Sequence, residues 1–85
     1  MEAEQRIRRS DYPPEVVEIL LQAFNETWET IGHTFTSQAD IDDARDRLAR
    51  IILAYASDGT TDLAAIKSTA VLVMQLNFPA ITFKK

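Results

Sequence analysis

Acidic side chains crowd one short stretch near the middle of the chain, and carboxylates at such spacing are the ligands of calcium-binding loops. They are Asp40, Asp42, Asp43 and Asp46. An EF-hand loop beginning at Asp40 needs an oxygen ligand where this chain has Ala44 and a glycine where it has Arg45, so the pattern fails at both positions. We therefore interpret these acids as the first turns of a helix, where the helix dipole favours negative charge.

The single histidine is the other candidate for metal or proton chemistry. His33 follows Glu29 by four positions, on the outer face of a continuing helix, whereas di-iron bundles direct a Glu-x-x-His pair into the core. We interpret His33 as a surface residue near a helix C-terminus. The chain has no cysteine, two glycines and no Gly-x-Ser-x-Gly motif. The sequence therefore predicts a protein that is not an enzyme, with no catalytic, cofactor or metal site.

One basic cluster stands near the N-terminus, and arginine arms can enter nucleic-acid grooves. It consists of Arg6, Arg8 and Arg9. Acidic residues flank it, and the whole chain carries a formal net charge of -4, which opposes binding to phosphate backbones and anionic membranes. A nucleic-acid-associated regulator that uses this arm is the alternative function. A contiguous basic face joining these arginines to Lys67 would favour it.

Length and composition exclude several classes of protein. With 85 residues the chain can form one small domain, but not separate cofactor and substrate domains. Its 46% hydrophobic and 26% charged residues are typical of a folded globular protein. The first ten residues lack the apolar segment of a signal peptide, so we expect a cytoplasmic protein. The uncharged run 68–83 is shorter than the roughly 20 apolar residues of a membrane span, so no membrane helix is expected.

The first predicted helix begins at Pro14, because proline fits the first turn of a helix. It follows residues 1–12, which we expect to form a polar, mobile arm. Its apolar residues recur at steps of three and four, and they are Val17, Leu20, Leu21, Phe24, Trp28 and Ile31. Gly32 is predicted to end this helix in the left-handed conformation.

The second predicted helix begins at Ser37, whose side chain is spaced to cap it. Its buried stripe is Ile41, Ala44, Leu48, Ile51, Ile52 and Tyr55. Leu48 and Trp28 are predicted to be buried where the first two helices meet. The outer face carries ion pairs four positions apart, Asp43 with Arg47 and Asp46 with Arg50.

The third predicted helix covers about residues 63 to 76, after Gly59 has ended the second and with Thr61 or Asp62 as its cap. Residues 13–85 are thus predicted to form a single all-α domain. Short connections favour a small antiparallel three-helix bundle, with a polar N-terminal arm and a short apolar C-terminal tail.

The stretch ARDRLARIILAYASDGTTDLAAI resembles small uncharacterised helical proteins encoded in bacterial genomes. In those proteins a leucine- and isoleucine-rich helix ends in an Asp-Gly-type turn before another helix. The resemblance covers about residues 44–76. It implies a helical architecture and a bacterial cytoplasmic setting, and it brings no activity or catalytic residue.

The third helix is apolar over an arc of about 200°, which is wider than two neighbouring helices need. Its arc and the tail supply the candidate partner-binding residues Leu72, Leu76, Phe78 and Phe83. Either these residues bind a partner, or the helix is central and the tail wraps it. We expect a non-enzymatic protein-interaction module or small regulator, which forms a homodimer through helix three and the tail or binds an unidentified protein.

Overall fold

The computed structural model describes residues 3–57, 59 and 62–79, which contain four α-helices and no strand. The helices are α1 (Ala3–Arg8), α2 (Pro14–Ile31), α3 (Gln38–Ala56) and α4 (Leu63–Asn77), and a 3-10 turn follows α2 at Gly32–Thr34. The all-α class is therefore confirmed, and α2, α3 and α4 lie where hydrophobic periodicity predicted helices. The antiparallel order of the bundle stays a prediction.

Local capping chemistry sets where α3 and α4 begin. The Ser37 hydroxyl accepts a hydrogen bond from the Asp40 N–H at 3.1 Å, at the N-cap of α3. The Asp62 carboxylate accepts one from the Ala64 N–H at 3.0 Å, at the N-cap of α4. Each side chain satisfies a backbone donor that has no partner within its own helix. Both caps are among those predicted from the sequence.

The two glycines of the chain serve different purposes. Gly59 has a φ of 88°, in the left-handed region that glycine enters without strain, as expected after α3. The same expectation for Gly32 is wrong, because this residue has φ -60° and ψ -26° and continues into the 3-10 turn. At Gly32 the requirement is space, since a Cβ atom there would lie 2.7 Å from Cε2 of Trp28.

All four helices contribute to one hydrophobic core. Its completely buried residues include Ile7, Leu20, Ala23, Phe24, Ile31, Ala44, Leu48, Ala49, Ile52 and Met74. α2 packs against α3 and α4, and α3 packs against α4. The predicted burial of Leu48 is confirmed. Trp28 is only partly buried, because it lies at the edge of the core and stacks on Phe35 with ring centroids 5.6 Å apart.

α1 corrects the expectation of a polar arm over residues 1–12. This helix packs against α2 and α3, and the Ile7 side chain is completely buried. Arg6 Nη2 lies 2.7 Å from Asp46 Oδ1, and Arg45 Nη2 lies 3.0 Å from Glu4 Oε1. A six-residue helix shows too little periodicity to be recognised in the sequence, and its charges find their partners about forty positions away.

α4 is the helix with the fewest charges. Lys67 is its single charged side chain, within 15 residues that include six aliphatic side chains larger than alanine. Neither α4 nor another helix in the described part of the chain is both long and apolar enough to cross a membrane.

Candidate functional site

The outer face of α4 exposes two leucines. Leu72 is 59% exposed and Leu76 is 76% exposed, and they are the large apolar side chains that stand open to solvent among the described residues. Because they are four positions apart on one helix, they lie side by side on the same face. This exposure agrees with the expectation that the apolar arc of this helix is wider than its neighbours cover, and the role of Leu72 and Leu76 in partner binding stays a prediction.

The other two predicted site residues have different outcomes. Phe78, just beyond α4, is half-buried and packs edge to face against Phe35, with ring centroids 5.2 Å apart. It also lines a cleft of about 320 Å³ beside the connection between α2 and α3. Phe83 lies outside the described residues. The structure thus places Phe78 in an aromatic cluster and not on the face of Leu72 and Leu76.

A groove runs between α3 and α4 and extends the exposed surface. One part of it, about 260 Å³, is lined by Ile51, Ala54, Tyr55, Thr69 and Val73. Val73 and Thr69 lie three and seven positions before Leu76, so they share its side of α4. The sequence assigned Ile51 and Tyr55 to the buried stripe of α3, but both are only half-buried. Both residues lie at the edge of that stripe, next to the charged face that includes Arg50. This position is the sequence signal that could have identified them as groove residues.

The same groove has a charged end. It is lined by Asp43, Asp46, Arg47, Arg50, Ile51, Ala54 and Asn77 and measures about 350 Å³. Ile51 and Ala54 belong to both parts, so the apolar and charged ends are continuous. A partner that binds the exposed leucines of α4 would therefore also meet side chains of both signs.

The arginines at this end make unequal contacts. Arg50 Nε lies 3.1 Å from Asp46 Oδ2, which confirms the predicted ion pair. Arg47 Nη1 instead donates to Asn77 Oδ1 at 3.3 Å, and its guanidinium lies 6.0 Å from the ring centre of Phe78. The predicted ion pair of Arg47 with Asp43 is not formed between these two described residues, because the guanidinium reaches across to the end of α4.

A third arginine lies against aromatic rings on the opposite side of α3. The Arg45 guanidinium carbon is 5.1 Å from the ring centre of Phe24 and 5.5 Å from that of Trp28. Cations at such distances are attracted by the negative faces of aromatic rings. Since Glu4 binds the same guanidinium, Arg45 connects α1 to the aromatic side chains of α2.

Two of the four cations considered for a nucleic-acid surface, Arg6 and Lys67, are paired with acids. Arg6 pairs with Asp46, and Lys67 Nζ lies 2.6 Å from Glu26 Oε1. Arg8 and Arg9 are exposed on the remaining length of α1 and the residue after it. The ion pairs of Arg6 and Lys67 reduce the positive potential that a basic face would need.

The ion pair of Glu26 with Lys67 joins α2 to α4. The Glu26 carboxylate accepts a hydrogen bond from Lys67 and a second one from Gln22 at 2.7 Å. These hydrogen bonds, above all the one from Lys67, lower the pKa of the Glu26 carboxyl below its usual value. Hydrogen bonds and positive charge favour the ionised form of a carboxyl group. Lys67 therefore reaches toward α2, although it also lines a surface hollow that includes Leu72.

The residues first considered for metal chemistry do not converge. Within residues 3–57, 59 and 62–79 there is no group of three histidine, aspartate or glutamate side chains placed to hold a metal ion. Asp40 and Asp42 are exposed in the first turns of α3, and His33 is exposed in the 3-10 turn. These positions agree with a helix start and a surface histidine.

Comparison of the chain with protein-family models, with curated proteins and with solved structures found no match. The functional argument therefore depends on the geometry of the exposed face of α4 and the adjoining groove.

Proposed function

We propose that this chain is a non-enzymatic protein-interaction module that associates with a second copy of itself through α4 and the α3–α4 groove. The observation that carries the proposal is the exposure of Leu72 and Leu76 on one face of α4. Apolar surface removed from water stabilises an interface by about 25 cal/mol per Å². Lys67 lies near Leu72, but its charge is paired with Glu26, which reduces the cost of burying the leucines beside it.

A second copy is a suitable partner because the groove carries its own complementary charges. In a two-fold symmetric interface each surface meets the same surface of the other copy. Arg50, whose side chain is 66% exposed, could then approach Asp43 of the second protomer. Opposite charges around an apolar centre direct both encounter and register.

The size of the surface explains why the groove is needed in addition to α4. A stable interface buries about 800 Å² per partner, which is about 15% of the 5215 Å² surface of this chain. The 15 residues of α4 extend over about 22 Å, so its two leucines alone cover too little area. Ile51, Tyr55 and Val73 of the groove supply further apolar surface beside them.

We also propose that α3 and α4 are antiparallel neighbours in the predicted bundle. Arg47, in the middle of α3, reaches Asn77 at the C-terminal end of α4. The C-terminal end of α3 is joined to the start of α4 by the short turn at Gly59. Helices joined by short loops usually run antiparallel.

Light scattering at micromolar concentration, over a hundredfold dilution, tests self-association. We expect wild-type dimers that dissociate on dilution, and a Leu72→Glu variant that stays monomeric because the substitution buries an unpaired charge in the interface. Ala64→Glu is the matched control, since it adds the same charge at an exposed position of α4 that lies about 12 Å along the helix from Leu72 and is turned about 80° from it. Circular dichroism should show equal helix content in all three proteins.

The result that would overturn the proposal is a wild-type chain of 9.6 kDa at every concentration. Equal loss of dimer in the Ala64→Glu control would show that association uses another surface or a general charge effect. Retention of the dimer in Leu72→Glu, with its helix content intact, would exclude the exposed face of α4.

A further inference from the structure

α1 packs in a second groove, which lies between α2 and α3. It contains six residues, and among the side chains at positions 4–8 Ile7 is the one that is completely buried. The ion pairs of Arg6 with Asp46 and of Glu4 with Arg45 join it to α3, and all four side chains are 23 to 37% exposed. Ion pairs with such exposure contribute little to stability, so the burial of Ile7 is the main attraction.

Packing against α2 and α3, and not the helix propensity of its own sequence, makes α1 helical. An isolated helix of six residues is far below the about 12 residues at which helices become marginally stable in water. Segments with few buried apolar contacts open at lower free energy than the core of the same protein. α1 is therefore the helix of this chain that can leave its place at the smallest cost.

The connection between α1 and α2 is anchored at its far end. Tyr12 packs against the core, and its hydroxyl donates to the Leu53 carbonyl of α3 at 3.4 Å. α2 then begins at Pro14. The hinge is thus confined to the residues between Arg8 and Tyr12, whose extended length is about 14 Å. α1 can swing out from this hinge while α2, α3 and α4 keep their packing.

The groove between α2 and α3 carries charges in an order that complements the charges along α1. The Arg45 guanidinium lies against the rings of Phe24 and Trp28, which belong to α2 and not to α1. Asp46 stands next to Arg45 on α3, so the groove presents a positive and then a negative group. A second copy of this chain supplies the complementary order in Glu4 and Arg6, followed by the apolar Ile7.

We infer that α1 is an exchangeable segment, and that the groove between α2 and α3 accepts α1 from a second copy of this chain in place of its own. An exchanged α1 makes the same contacts with α2 and α3 that it makes within one chain, so exchange adds no strain where α1 packs. The equilibrium between monomer and exchanged dimer therefore depends on the hinge and on the protein concentration. It goes beyond association through α4, because it uses a different surface.

Two complementary charge-reversal variants test the exchange. One carries Glu4→Arg and Arg6→Glu on α1, and the other carries Arg45→Glu and Asp46→Arg on α3. Each variant alone places like charges together, whether its α1 docks in its own groove or in that of an identical copy. Only exchange between the two different chains restores opposite charges in both grooves.

Both variants also carry Leu72→Glu, so that α4 contributes no association. Native mass spectrometry distinguishes the two chains by mass. Statistical pairing would give about equal numbers of mixed dimers and homodimers, and we expect the mixed dimers to outnumber both homodimers together about tenfold. Ile7→Asp added to the first variant should abolish these heterodimers. Monomers alone, or mixed dimers at the statistical proportion, would overturn the exchange.

A corresponding mixture made without Leu72→Glu separates this inference from the proposed function. Asp46 also lines the charged end of the α3–α4 groove, so this arm of the test uses Glu4→Arg in one chain and Arg45→Glu in the other and leaves Asp46 unchanged. Association through α4 then yields mixed dimers at the statistical proportion even where exchange fails. Single-pair versions, Glu4→Arg in one chain and Arg45→Glu in the other, repeat the test if the double variants lose helix content. These versions leave the Asp46 pair with Arg50 intact.

Discussion

Gly32 lies so close to the Trp28 side chain that a Cβ atom at position 32 would be 2.7 Å from Cε2 and 2.8 Å from Nε1 of the indole. Trp28 in turn stacks on Phe35 with an interplanar angle of 8°, so the indole packs against residues both at the end of α2 and in the connection to α3. The connection from α2 to α3 therefore depends on the absence of a side chain at position 32.

The first prediction concerns this contact. Gly32→Ala should destabilise the protein by about 1 to 3 kcal/mol, because the added methyl group forces the indole out of its stack. Urea unfolding followed by circular dichroism measures the change. In a Trp28→Phe background the same substitution should cost clearly less, since the smaller ring leaves room. Equal losses in both backgrounds would show that the indole is not the cause.

The second prediction concerns a buried hydroxyl group in α2. Thr27 is completely buried, and its Oγ1 makes no hydrogen bond within the part of the chain that the structure describes. Thr27→Val replaces this hydroxyl with a methyl group of similar shape and should stabilise the protein by about 1 kcal/mol. Thermal unfolding tests it. Thr30→Val is the control, because the Thr30 hydroxyl donates to the Glu26 carbonyl at 3.1 Å and should give no such gain.

The third prediction concerns the centre of the core. Leu48 is completely buried, and Leu48→Ala should destabilise the protein by about 2 to 5 kcal/mol through lost burial and a residual cavity. The same substitution at the exposed Leu72 should change stability by less than about 0.5 kcal/mol when measured at concentrations where the chain is monomeric. Comparable unfolding midpoints for the two variants would contradict the assignment of the core.

The fourth prediction concerns pH and the ion pair between α2 and α4. Since hydrogen bonds from Lys67 and Gln22 lower the pKa of Glu26 in the folded state, ionised Glu26 stabilises the fold above its unfolded pKa. That contribution is lost as the pH falls through the folded pKa. Carboxyl NMR titration should give Glu26 a pKa below the usual glutamate value, and Lys67→Met should raise it.

Unfolding curves at several acidic pH values provide the matching stability measurement. Glu26→Gln should lose less stability than the wild type on acidification, because it has no carboxylate to protonate. Glu18→Gln removes an exposed carboxylate from the same helix and serves as the control. An acid dependence of Glu26→Gln identical to that of the wild type would contradict a role for this pair in stability.

The fifth prediction concerns the alternative function. Arg8 and Arg9 are exposed, but the chain carries a net charge of -4, so we expect duplex DNA to bind more weakly than about 100 μM at physiological salt. Fluorescence anisotropy of a labelled duplex measures this affinity. Tighter binding that is lost in the Arg8→Glu, Arg9→Glu variant would establish the arginine segment as a nucleic-acid contact.

Local interactions explain which parts of the fold could be read from the sequence. Ser37 and Asp62 cap helices by contacting backbone groups two or three positions away, and the hydrophobic periodicity of α2, α3 and α4 is contained within each helix. Such short-range chemistry determined the all-α class and the starts of α3 and α4. The exposure of Leu72 and Leu76 could be predicted because α4 has more apolar surface than its two neighbours can cover.

Contacts between residues far apart in the sequence decided the features of the fold that the sequence did not predict. α1 is a helix because Ile7 packs in the core and Arg6 contacts Asp46, forty positions away. Neither contact can be predicted from the six residues of α1. Gly32 is required because the Trp28 ring, four positions earlier, occupies the space that a side chain at position 32 would need. Arg47 turned to Asn77 because tertiary packing brought the end of α4 within its reach. Periodicity and caps act over a few residues, whereas these outcomes depend on which surfaces the folded chain brings together.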